Sequence, residues 1–128
     1  MGPLVGNELI AWSRIPCAVF GTLDDPLHAS NLTEILQKHP KLLRSRCLAI
    51  DASLGRAEEV GAIAVGIGSI QPGAAVQKSL PSIGRYYATA TVNVGGFMDY
   101  YVLQNTRLSL VMRMAQMLAE SLKLSLGF

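Results

Sequence analysis

A short stretch between an apolar run and a helical pattern carries several titratable side chains. In GTLDDPLHASNL, residues 21–32, Asp24 and Asp25 precede a proline and His28 follows it. Carboxylates can act as general acids or bases, and carboxylates together with an imidazole can bind a divalent metal ion. The alternative is an Asp-Pro turn before a helix, where acidic side chains are favourable. For the two aspartates alone the turn is the better interpretation. The presence of His28 makes a catalytic or metal-binding site more plausible, but the turn is still favoured.

A second candidate carboxylate closes the apolar segment RCLAID, residues 46–51. Asp51 at the end of this predicted strand can bind a metal or act as an acid or base. It can equally cap the following turn by accepting backbone N–H bonds, and the residue pattern favours neither role. In open α/β sheets the ends of neighbouring strands share one rim. The hypothesis is therefore a polar site that joins Asp51 to Asp24, Asp25 or His28.

Three further signals are weaker. The glycines of AVGIGSIQPG lack the G-x-G-x-x-G spacing of a dinucleotide loop. His39 lies before a proline at a predicted helix end, where a cation suits the helix dipole, and it is not expected to be a ligand. Gly95 and Gly96 join a strand to a helix, and helix N-termini bind anions. A tight turn is the favoured interpretation of this glycine pair.

The elements that must position these residues follow from hydrophobic periodicity. Apolar runs predict strands over four segments, which are 17–23, 46–51, 61–70 and 88–94. Helical patterns cover 3–14, 29–39 (with Ser30 or Asn31 as the cap) and about 98–124, the last being one helix or two joined near Asn105. Apolar strands between helices predict a three-layer α/β/α domain with a mostly parallel sheet. The chain opens on a helix, so the first strand of such a domain is expected to be missing.

Composition limits the class of protein. A chain of 128 residues, 50% hydrophobic and 16% charged, is expected to form one domain with a substantial core. A net charge of +2 without a dense basic patch argues against a nucleic-acid partner. No apolar run is long enough for a membrane span and no signal peptide is evident, so a soluble, cytoplasmic protein is expected. Cys17 and Cys47 are expected to be buried, reduced thiols.

The last predicted helix is apolar around most of its circumference. A narrow polar stripe is formed by Arg113, Gln116, Glu120 and Lys123. Core packing is the default interpretation of the apolar remainder. The alternative is a self-association surface, which would make the protein a homo-oligomer.

Several segments, in order along nearly the whole chain, are similar to the YyaC family of sporulation proteins from spore-forming Firmicutes. They are GPLVGNELI, VFGTLDDPLHASNL, AIDASLG, GSIQPGAAVQKSLPSIG and GGFMDYYVLQNTRLSLVMRMA. That family resembles the germination protease of spores and, more distantly, the hydrogenase-maturation endopeptidases. The resemblance implies their phosphorylase/hydrolase-like α/β/α fold.

The resemblance also bears on the site. The related peptidases place acidic residues at strand ends, and Asp51 matches such a strand-ending aspartate. Their other acidic residue belongs to a Gly-Asp motif just upstream of Gly-Pro-Leu-Val-Gly, so this motif and its strand are expected to be absent here. The hydrogenase proteases use a histidine on a later loop as a metal ligand. This chain has no histidine after His39.

The function that the resemblance implies is a peptidase acting on a spore protein in the cytoplasm of the sporulating cell or spore. Asp51, Asp24, Asp25 and His28 are the candidate catalytic residues. A divalent metal ion, held by Asp51 and His28, is the candidate cofactor. The alternative is a non-catalytic sporulation protein that binds a partner through its rim or its C-terminal helix. A third hypothesis is a small anion-binding domain that uses Gly95 and Gly96.

Overall fold

A computed structural model describes residues 1–12, 14–43, 46–71 and 81–126. The chain divides into two compact units, Met1–Leu27 with Arg107–Phe128, and His28–Thr106. Helices and strands both occur, which confirms a mixed α/β protein. The helices are α1 (Gly2–Ile10), α2 (Leu32–Lys38), α3 (Asp99–Gln104) and α4 (Leu108–Ser125), and the strands are β1 (Leu48–Gly55), β2 (Ile63–Ile67) and β3 (Tyr86–Val94). Short 3₁₀ turns span Pro40–Leu43 and Ala57–Glu59.

The first unit is built on the packing of α1 against α4. Val5 and Leu9, one helical turn apart, are the buried apolar side chains of α1. On α4 the buried residues are Met114, Ala115, Leu118 and Ala119, which recur at the three- and four-residue spacing of one helix face. This burial confirms core packing for one side of the last helix. The helix predicted over 3–14 ends earlier, at Ile10.

The strand predicted over residues 17–23 is wrong. This segment belongs to the first unit and pairs with no strand in the described part of the chain. Two of its backbone N–H groups bond outside any sheet: that of Thr22 donates to the Asp25 carbonyl at 3.0 Å, and that of Leu23 donates to Oδ1 of Asn7 in α1 at 3.1 Å. An apolar run becomes a strand only when a partner strand takes up its backbone groups. Here a turn and a helix side chain accept from the N–H groups of Thr22 and Leu23 instead.

The second unit contains a three-stranded sheet in the order β1-β3-β2. β1 and β3 are parallel, whereas β2 pairs antiparallel with β3 at the edge of this sheet. Three of the four predicted strands are therefore confirmed, and one of the two pairings is parallel. The prediction that Asp51 ends its strand is wrong, because β1 continues through Ser53 to Gly55 and keeps pairing with β3. The strand is longer than predicted because its pairing with β3 continues past Asp51, and this pairing cannot be read from the sequence alone.

Small residues form the buried side of the sheet. Ala88, Ala90 and Val92 alternate along β3 with half-buried polar residues, and all three are almost inaccessible to solvent. β2 differs, since Val65 is 71% and Ile67 84% exposed. The sequence pattern predicted apolar strands covered on both faces, and β2 departs from that expectation.

The remaining helices in the second unit are short. α2 occupies the centre of its predicted segment, and Asn31 precedes it at a predicted cap position without a side-chain bond to the helix. Two helices joined near Asn105, one of the two predicted arrangements, are confirmed as α3 and α4. Both cysteines are free, but Cys17 is exposed, so its predicted burial is wrong. Among the described residues, no helix has the length and apolarity needed to cross a bilayer.

Candidate functional site

Asp51 lies in the middle of β1, with Thr89 of β3 as its register partner. Ser53 is two residues further along β1 and pairs with Thr91. Side chains alternate between the faces of a strand, and register partners point to the same side. Asp51, Ser53, Thr89 and Thr91 therefore share one face of the sheet, which we call the polar face.

Two hydroxyl groups of the polar face are close enough to interact. Ser53 Oγ and Thr91 Oγ1 are 3.3 Å apart, and this pair lies next to the Asp51–Thr89 pair. All four side chains are half-buried. A carboxyl group and three hydroxyl groups are thus held by paired backbone rather than by a loop. A site on paired strands keeps its geometry better than one on a flexible loop.

The electrostatic setting of Asp51 favours a carboxyl group that can keep its proton. Burial raises the pKa of Asp51, and this effect exceeds the opposing one of the Ala52 N–H, which donates to Oδ1 at 2.9 Å. No lysine or arginine forms an ion pair with this carboxyl group in the described part of the chain. A raised pKa in a half-buried carboxyl is typical of groups that donate and accept protons in catalysis.

His28 is in the same unit as Asp51, but its observed contacts are local. Its backbone N–H donates to Oδ1 of Asn31 at 2.9 Å, and its ring Nδ1 accepts from the Ser30 N–H at 3.2 Å. These bonds fold the entry to α2. No hydrogen bond or ion pair joins His28 to Asp51 among the contacts of the described residues. An accepting Nδ1 places the proton of the neutral ring on Nε2.

Asp24 and Asp25 lie in the first unit, in an exposed turn. Besides the Thr22 N–H bond to the Asp25 carbonyl, the Asp25 N–H donates to Oγ1 of Thr22 at 3.1 Å. The turn interpretation of this stretch is thus supported by its backbone bonds. The predicted catalytic roles of Asp24, Asp25 and His28 stay predictions.

The described residues do not fit a bound metal ion. Within residues 1–12, 14–43, 46–71 and 81–126, no three His, Cys, Asp or Glu side chains form a group that could hold one. A metal ion bound in a protein generally takes three or more protein ligands. The predicted ligand roles of Asp51 and His28 therefore stay predictions.

The loop after β3 is closed by a side chain of its own. The Gly96 N–H donates to Oδ1 of Asp99 at 2.8 Å, and Met98 before α3 has a left-handed backbone with φ of 52°. α3 has six residues. A carboxylate thus already accepts from this glycine turn, which supports the tight-turn interpretation. The last two residues of AVGIGSIQPG, Pro72 and Gly73, lie outside the described residues.

Three residues of the polar face were not predicted from the sequence. Ser53, Thr89 and Thr91 belong to segments in which every second residue is polar, IDAS and ATATVN. That period of two indicates one polar face on each strand. The pairing that joins the two polar faces has no signal in the sequence.

Comparisons with known proteins agree on one family. The model of a family described as "Protein of unknown function (DUF1256)" matches residues 1–121. The "Uncharacterized protein YyaC" of Bacillus subtilis (strain 168) is 48% identical over 126 residues. That alignment covers 98% of this chain and 62% of the relative, so the chain spans less than two thirds of the relative's length. No solved structure is significantly similar to the chain.

Proposed function

The chain belongs to the DUF1256 family, and from this premise we propose that it is a peptidase in which Asp51 is the acid–base group. The observation that carries the proposal is the setting of Asp51. Its carboxyl group has a pKa raised by burial, shares one sheet face with three hydroxyl-bearing residues and forms no ion pair with a described lysine or arginine. A structural carboxylate is more commonly stabilised by an ion pair or several N–H donors, which lower the pKa.

The proposed chemistry needs one proton to move in each direction. The Asp51 carboxylate takes a proton from a water molecule as the water oxygen adds to the peptide carbonyl. The protonated carboxyl then returns the proton to the leaving nitrogen as the C–N bond breaks. The hydroxyl groups of Thr89 and of the Ser53–Thr91 pair can donate hydrogen bonds to a substrate carbonyl or to the carboxylate. Asp24, Asp25 and His28 remain the predicted second group.

The proposal also includes a specific fold and a cellular location. They are the three-layer α/β/α arrangement with the phosphorylase/hydrolase-like topology of germination proteases, and a cytoplasmic location in the sporulating cell or spore. The substrate class is a spore protein or peptide. The similarity of the segments around residues 21–32 and 51 to the sporulation protein family supports these assignments.

The test is cleavage of small spore proteins, measured by mass spectrometry of the products. The chain and its longer relative YyaC are assayed side by side, with and without divalent cations. Replacing Asp51 by Asn should lower the rate by about 100-fold or more. The matched control is Glu58→Gln, an exposed carboxylate beyond the end of β1. No cleavage by either protein, or equal rates for Asp51→Asn and the parent, would contradict the proposal.

A second candidate function is partner binding without catalysis. The observation that favours it is a run of large apolar and aromatic side chains after β3, in which Phe97, Met98, Tyr100 and Tyr101 are all largely exposed. Exposed groups of this kind mark interaction sites. A photo-crosslinking residue at position 97, used in sporulating cells, should capture a defined protein, and this product should persist in the Asp51→Asn variant. The loss of crosslinking together with catalysis in Asp51→Asn would favour the peptidase instead.

A further inference from the structure

α4 carries apolar side chains outside the side that packs in the first unit. Met117 is 63% and Leu124 74% exposed, and they are seven residues apart. Seven residues make nearly two helical turns, so both lie on one side of the helix. Leu110, half-buried and seven residues before Met117, continues the same line. We call Leu110, Met117 and Leu124 the α4 stripe.

Two side chains of opposite charge, Arg113 and Glu120, lie beside the α4 stripe. Arg113 and Glu120 are also seven residues apart, and each lies four residues before a stripe residue, so both are on the same flank. Glu120 forms a 3.0 Å ion pair with Lys123 of its own helix, but its side chain is 66% exposed. Arg113 forms no ion pair with a described residue. The flank therefore has a positive end and a negative end.

We propose that a second copy of this chain covers the α4 stripe, with the two α4 helices antiparallel about a two-fold axis beside Met117. The spacing makes the surface self-complementary. Leu110 and Leu124 lie seven residues on either side of Met117. Leu110 of one copy therefore lies against Leu124 of the second copy, and Leu124 against Leu110. Arg113 lies four residues before Met117 and Glu120 three after it. The same axis therefore brings Arg113 to the partner's Glu120 and Glu120 to the partner's Arg113.

The charges select the antiparallel arrangement over the parallel one. A parallel two-fold pair sets every residue level with its own copy. Arg113 would then be displaced along the axis from the partner's Glu120 by seven residues, or about 10 Å. Only the antiparallel pair satisfies the apolar stripe and the flanking charges together. The surface is isologous and closes after two copies.

The first test exchanges the charges. Sedimentation velocity of the chain over a range of concentrations gives the dimer dissociation constant. Arg113→Glu and Glu120→Arg should each raise this constant about tenfold or more, because each replaces two attractive contacts by repulsive ones. The double variant Arg113→Glu/Glu120→Arg should recover the parent value to within about threefold. Failure of the double variant to recover would overturn the proposed register.

The second test uses a matched pair of exposed apolar residues. Met117→Glu should abolish the dimer. Leu108→Glu is the control, because Leu108 is 66% exposed on the same helix but nine residues away, on the opposite side. Circular dichroism should show the parent helix content for both variants. A chain that is monomeric at high concentration, or a dimer lost equally in both variants, would overturn the proposal and assign the α4 stripe to another occupant.

Discussion

Asp51 carries its carboxyl group on the face of a strand, where burial opposes ionisation. A carboxyl whose pKa is raised on folding binds its proton more tightly in the folded chain than in the unfolded chain. The stability of the fold therefore falls as the pH rises from the ordinary aspartate pKa through the raised value, and it stays reduced above that range. A residue that lowers stability at neutral pH is retained more readily for a function than for folding.

Asp51→Asn should consequently raise the melting temperature at pH 7, because the amide is neutral and its oxygen can still accept from the Ala52 N–H. The gain should shrink on acidification and vanish where the carboxyl is protonated in both states. Thermal unfolding by circular dichroism from pH 3 to pH 8 measures this. Glu59→Gln is the control of opposite sign, since the Arg56 N–H lowers the pKa of Glu59. A less stable Asp51→Asn variant at pH 7 would show that the carboxylate is structural.

Gly6 offers a second prediction at the level of one residue. Replacing a glycine within a helix by alanine usually stabilises the folded protein by about 0.5–1 kcal/mol. In α1 a Cβ on Gly6 would overlap the backbone carbonyl oxygen of Gly21, and that backbone must shift to admit it. Gly6→Ala should therefore lower the free energy of unfolding by about 1–3 kcal/mol, which is the usual cost of overpacking. Urea unfolding measures the sign, and a stabilised variant would contradict the contact.

The residues of the candidate site were only partly predictable. Asp51 was identified because a carboxylate at a strand end can bind a metal or act as an acid or base, yet its place within the strand was missed. The polar alternation in residues 50–53 and 88–93 was present in the sequence. What joins Asp51 to Thr89 and Ser53 to Thr91 is the parallel register of β1 on β3, a long-range property that no local pattern encodes.

At the level of elements, strongly periodic segments were predicted well and isolated apolar runs less well. α4 was recognisable from its periodicity, and α3 from the break near Asn105. Residues 17–23 and β2 have similar apolar runs, but only β2 finds a partner strand. The direction and exposure of β2 depend on its place at the sheet edge. An apolar run without alternation gives no information about which neighbour lies beside it.

The exposed side chains of β2 lead to a prediction about this element. Ile67→Lys should change the free energy of unfolding by less than about 0.5 kcal/mol, because the side chain already contacts solvent. Val92→Lys, on the buried side of β3, should cost several times more. Lysine on an edge strand should also reduce aggregation, which light scattering during heating can follow. A large loss of stability in Ile67→Lys would show that β2 is covered.

At the level of the whole molecule, the two compact units differ in how the chain builds them. The second unit is one continuous segment, whereas the first combines the two ends of the described chain. Local periodicity predicts α1 and α4 separately. Their packing against each other is a contact between distant segments, and it was therefore outside what the sequence pattern could show.

Because α1 and α4 pack against each other, a core substitution in α4 should reduce the protection of both helices against hydrogen exchange. Leu118→Ala in α4 removes a buried side chain and should cost about 2–5 kcal/mol within the first unit. Hydrogen exchange followed by mass spectrometry should then show faster exchange in α1 as well as in α4. Leu108→Ala, at an exposed position of the same helix, should change neither. Faster exchange confined to α4 would contradict a shared core.

The first unit also has a consequence for the chain as it is made on the ribosome. α1 is synthesised before its partner α4, and the segment His28–Thr106 is translated between them. At roughly 5–20 residues per second, a segment on the order of 80 residues takes about 4–16 s to translate. During that interval Val5 and Leu9 have no α4 to cover them. The nascent chain should therefore expose the apolar side of α1 to cellular chaperones until α4 has been translated.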